Sequence, residues 1–120
     1  MSRALIVIAG LMGAAGIVLA AMGAHGSDLS RLVTASSMLL FHGPVILATV
    51  LLADRRLVQR HIAIAAVIGF AAGAILFASD LAARDLAGHA LFAMAAPTGG
   101  TILIGAWVLL AFAALVARRS

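Results

Sequence analysis

His42-Gly43-Pro44 is the strongest chemical feature of this chain. An imidazole can pass a proton near neutral pH or ligate a metal, and an ionisable group within a long apolar run is costly enough to suggest function. At 1.5 Å per helical residue His42 stands ~18 Å from Asp54, inside the hydrocarbon if this run crosses a bilayer. A structural reading stands beside the chemical one. Pro44 has no amide donor and frees the carbonyl of Leu40, so a neutral His42 could pin a kink by donating to it, or to Ser36, Ser37 or Thr49. A second polar set, His25, Ser79, Asp80 and His89, falls near the opposite ends of the runs from most of the arginines. Two histidines and an aspartate can hold a metal, and Ser79, Asp80 and His25 can be written as nucleophile, acid and base. The set comes from separate segments without HxxxH or HxxE spacing, so solvation at an interface, or an Asp80 pair with His25 or Arg84, is the reading favoured over a metal site. We expect no metal, no cofactor and no catalytic residue. With no cysteine in the chain, disulfides, thiolate ligands and a cysteine nucleophile are excluded.

These residues must be positioned by apolar elements, because the chain is 65% hydrophobic and 10% charged. Four apolar stretches, 4–24, 32–53, 62–83 and about 90–117, each approach or exceed the ~20 residues that span ~30 Å of hydrocarbon as helix. They lack the period-2 alternation of barrel strands, and unpaired backbone is too costly in lipid for anything but helices. The expectation is an all-α, polytopic membrane protein: one domain, 1–120, built as an antiparallel bundle of four transmembrane helices joined by short loops. The first stretch is too long for a secretory signal core and reads as a retained helix. Pro97-Thr98-Gly99-Gly100 reads as the first turn of the last helix, with 86–96 bending at the interface or forming a kinked start to it.

The charges set orientation. Along an up-down-up-down path, Arg3, Arg55, Arg56, Arg60, Arg118 and Arg119 fall on one side and only Arg31 and Arg84 on the other. The positive-inside rule then places both termini and the middle loop in the cytoplasm. The net charge of +4 reports topology and gives no reason to expect nucleic acid. Arg55, Arg56 and Arg60 could also recognise a lipid headgroup, although topological anchoring accounts for the same residues. Small residues mark the faces on which helices meet in lipid: Ala9, Gly13, Gly16, Ala20 and Gly23 in the first helix, Gly69 and Gly73 in the third, and Pro97, Thr101 and Gly105 in the fourth, with Trp107 buried below. Gly69 and Gly73 have GxxxG spacing, read as an internal contact rather than a dimer motif.

In order and spacing, Gly23-Ala24-His25, Phe41-His42, Gly73 with Leu76-Phe77-Ala78-Ser79-Asp80-Leu81, and Ala96-Pro97-Thr98-Gly99-Gly100 followed by Gly105-Ala106-Trp107 resemble the YgdD-like family of small four-helix inner-membrane proteins. The resemblance covers essentially the full chain. It implies an integral protein of the bacterial cytoplasmic membrane, with relatives in mitochondria and a function that is unknown, and it singles out His25, His42, Phe77, Asp80, Pro97, Gly99, Gly100 and Trp107. The chain departs from the family in a shorter stretch between His25 and His42, and in having Met38-Leu39-Leu40-Phe41 where polar and aromatic residues are usual.

Three function classes follow. The first is a non-catalytic accessory or interaction subunit, in contact with membrane lipids and packed against a larger membrane complex, possible bioenergetic ones included, or against further copies of itself. It fits a chain with almost no mass outside its apolar runs. The second is a proton or small-solute conduit through Asp80, His25, His42 and Thr49, which lacks polar residues in the inner half and needs an oligomer to form a pore. The third and weakest is an enzyme.

Overall fold

The computed structural model describes residues 2–26 and 28–118; Ser27, in the expected loop between the first two apolar stretches, and Arg119, in the charge count, lie outside them. It is all-α, with helices α1 (Ser2–His25), α2 (Ser30–Asp54), α3 (Arg60–Leu86) and α4 (Ala95–Leu115). The shortest has 21 residues, about 31 Å of helix, so all four are long and apolar enough to cross a membrane. The expected fourth helix, 90–117, is shorter at both ends. Residues 87–94 are not helical, Met94 turns left-handed with φ 70°, and Pro97 stands in the first turn, where its missing amide costs no bond.

Packing follows chain order: α1 lies on α2, α2 on α3 and α3 on α4, with a slight contact of α1 with α3 and no extended interface between α1 and α4. The antiparallel bundle is therefore an open, staggered row, 53 × 26 × 18 Å in Cα extent. Its core is small residues and a few large ones, with Phe70, Leu32, Ile46 and Val67 fully enclosed.

Backbones touch at two crossings. A Cβ on Gly99 would stand 2.8 Å from the Phe77 nitrogen and 2.9 Å from the Gly73 oxygen, and one on Gly43 would stand 3.1 Å from the Ala9 oxygen. The first crossing uses the expected Gly73 internally, and Gly69 beside it meets Ala106. The fourth helix, however, turns a different face inward from the expected one: Ala95, Gly99, Leu103 and Ala106 are buried, whereas Pro97, Thr101 and Gly105 are exposed, and Trp107, expected to be buried, is 38% exposed. Gly105 has open space where a side chain would go, and Gly100 only borders the Phe77 ring. The inward stripe runs through 95, 99, 103 and 106, two residues out of step with the stripe of 97, 101 and 105; residues two apart on a helix lie on different faces.

Helix ends are closed by a distant carboxylate, by a local side-chain cap and by a backbone turn. The N-cap residue of α2, Leu29, makes no capping bond. Instead Asp85, from the end of α3, accepts the Leu32 N–H on Oδ2 at 3.1 Å and binds Arg31 through Oδ1 at 3.2 Å, placing a carboxylate at the positive end of the α2 dipole. At the other end of the molecule Gln59 caps α3 by accepting the Ile62 N–H, while its own N–H donates to the Ala113 carbonyl at the end of α4. The α2 terminus is a Schellman turn, with Leu57 N–H on Leu52 O, Arg56 N–H on Ala53 O, and Arg56 at φ 58° in the left-handed position that usually holds glycine.

Candidate functional site

Halfway along α2, His42 is 4% exposed and has both ring nitrogens occupied. Nδ1 lies 2.9 Å from the Met38 carbonyl, which can only accept, and Nε2 accepts the Trp107 indole N–H at 3.2 Å. Since an indole nitrogen only donates, the two partners together select the neutral imidazole with its proton on Nδ1. An added proton on Nε2 would face another N–H. The rings of Phe41, Phe70 and Trp107 enclose the group, with Phe70 and Trp107 edge to face at 4.9 Å between centroids. The acceptor of His42 is thus Met38 rather than the Leu40 carbonyl that Pro44 frees, because a side chain on a helix leans back over the turn three to four residues earlier. Ser36 and Thr49, the other buried polar residues of α2, likewise donate to carbonyls of their own helix, at Val33 and Val45.

The second sequence-derived set does not converge. Asp80 is fully enclosed; Oδ2 accepts from Arg84 Nε at 3.1 Å and Oδ1 from the Leu91 N–H at 2.9 Å, so the carboxylate straps the 87–94 segment onto α3. Ser79, one residue away, is exposed toward a groove between α1 and α3, His25 is exposed, and His89 binds the carbonyl of Ala90. No hydrogen bond joins His25, Ser79 or His89 to Asp80 among the described residues, and no three histidine or acidic side chains there come close enough to share a metal ion. Of the two pairings expected for Asp80, Arg84 is the one formed.

Some residues important to this architecture carried no sequence signal on their own. Asp85 is one of four acids in the sequence, and its role as a cap for another helix depends on α2 and α3 being neighbours. Phe70 is one apolar residue among many in α3 until His42 and Trp107 are placed on either side of it. Every described buried side-chain nitrogen or oxygen has a hydrogen-bond partner.

Between α1 and α3 runs an apolar groove of about 460 Å3, walled by Leu11, Ala15 and Val18 on one side and Ile75 and Ala82 on the other, with Leu39 of α2 at its base. At the arginine end, a cleft of about 830 Å3 opens between the α2–α3 turn and the end of α4.

Fold and site together define a small all-α protein of four membrane-length helices whose buried polar groups are satisfied internally. The chain belongs to the family described as Protein of unknown function (DUF423), whose model matches residues 19–100. No curated protein and no solved structure matches it. The matched stretch includes His25, His42, Asp80 and Gly99 but stops short of Trp107, the hydrogen-bond partner of His42.

Proposed function

We propose that this protein is a multi-pass component of the bacterial cytoplasmic membrane, with both termini and the α2–α3 turn cytoplasmic, that acts as a non-catalytic accessory subunit against a larger membrane complex. The arginine distribution supports the orientation, and the bacterial location follows from the family resemblance. One observation carries the functional reading: the buried polar groups are closed off while the apolar surface is left open. His42 offers no free nitrogen, Asp80 is held by an arginine and a backbone amide, and every other described buried polar group is paired within the chain. The helices meanwhile form a row with unjoined edges and a groove of about 460 Å3 between α1 and α3. Chemistry or conduction requires the reverse, polar groups with spare capacity along a path or in a pocket. Helix association in lipid requires accessible apolar faces with small residues, and Ala15 and Ala82 supply them on the groove walls.

The test is extraction in a gentle detergent, native separation and mass spectrometry, repeated with Ala82→Leu, which fills the groove. The reading expects stoichiometric recovery with a defined complex, loss of that association in Ala82→Leu with the chain still folded, and poorer assembly of the complex when the chain is deleted. Recovery alone, with proton flux in liposomes that His42→Ala abolishes, would replace it with the conduit.

A further inference from the structure

The cleft at the arginine end brings Arg118, beyond the end of α4, together with Arg56 from the α2–α3 turn and Arg60 from the first turn of α3. Asp54 lies in the same wall, 3.7 Å from Arg60, but both side chains of that pair are at least half exposed, so it is a loose contact that a stronger anion can displace. The cleft retains an excess of positive charge, and guanidinium forks suit the oxygens of a phosphate. Val58 and Val116 line it as well. It therefore offers phosphate-binding groups beside apolar surface, at the level where the helices end.

The backbone at Arg56 gives a second, independent indication. This residue occupies the left-handed position of the Schellman turn, φ 58°, which favours glycine because a Cβ is disfavoured there. The turn gains nothing from an arginine, and topology does not require one at this position, because Arg55 and Arg60 already mark the same side. A charged side chain thus stands where the backbone favours glycine, and it lines the cleft. We propose that this cleft seats the phosphate of an anionic membrane phospholipid, with Arg56, Arg60 and Arg118 around the headgroup and the exposed Val116 against the start of its chains. This does not depend on which protein the chain accompanies.

The strained turn makes the test selective. Arg56→Gly removes the guanidinium and also relieves the backbone, so the variant should melt at or above the wild-type temperature in neutral detergent micelles. Micelles doped with phosphatidylglycerol should raise the wild-type melting temperature, whereas phosphatidylcholine should not, and Arg56→Gly should weaken the apparent affinity for phosphatidylglycerol about fivefold. Arg118→Gln, beyond the last helix, should do the same and carries the test if Arg56→Gly fails to fold. Arg55→Gln removes the same charge one residue outside the cleft and should retain wild-type affinity. Equal stabilisation by both lipids, equal loss in Arg55→Gln, or full reproduction of the shift by inorganic phosphate would each overturn the proposal: the first shows no preference for anionic lipid, the second charge without a site, and the third a site for small anions.

Discussion

The two ends of the molecule use charge in opposite ways. At the end holding Asp80 and Asp85, both carboxylates are buried, and each takes one backbone N–H and one arginine. One holds down the 87–94 segment and the other caps α2. At the end holding Arg55, Arg56 and Arg60, the cap is the neutral Gln59, and the one described ion pair, Asp54 with Arg60, is exposed and long. Buried charge with all its bonds made holds the fold together, because removing one partner leaves the other stranded. Exposed charge with bonds to spare adds little to stability and remains available to something outside the chain. Residues of the same type are thus structural at one end and outward-facing at the other.

That contrast can be broken by substitution. The largest effect is expected at the α3–α4 crossing: Gly99→Val places carbon against two backbone atoms that cannot yield, and should cost about 3 kcal/mol or prevent folding, while Gly105→Val, on the open face, should be nearly neutral. Unfolding of the two variants in mixed micelles measures the difference. Next is Asp80→Ala, which strands the Leu91 amide and Arg84 together. It should lower the melting temperature less than Gly99→Val but more than any substitution at the arginine end, and should open 87–94 to protease; unchanged cleavage would show that the strap is not what holds that segment. Trp107→Phe leaves His42 Nε2 without its donor and should cost about 1 kcal/mol, with a double-mutant cycle against His42→Leu isolating the pair. The smallest effect belongs to the arginine end, where Asp54→Asn and Arg60→Gln should each stay within about 0.5 kcal/mol of wild type. A cost there like that of Asp80→Ala would erase the distinction between the ends.

Helix number, type and most limits were legible in the sequence, because apolar runs of membrane length leave few alternatives. The start of α4 was harder to read, since 87–94 is apolar enough to be helix and is held out of it by a tertiary bond from Asp80, eleven residues earlier. Depth along each helix was legible from rise per residue, which set His42 apart from the other polar groups. Rotation about each axis was not. It separates Ser79 from Asp80, turns Gly105 outward and brings Trp107 to His42, and it depends on which neighbour each helix acquires. A period of 3.6 in a helix that is apolar all round gives little information about which face is turned inward.

Ser36, Thr49 and one nitrogen of His42 bond to carbonyls of α2 itself, three or four residues back. These bonds need no neighbouring helix, so the buried polar side chains of α2 can be largely provided for before α3 or α4 is in place. Among the buried side chains of α2, the second nitrogen of His42 is the group whose partner lies in another helix, and that helix is the last in the chain. The Trp107 indole therefore completes the bonding of His42 only when the last helix has joined the row.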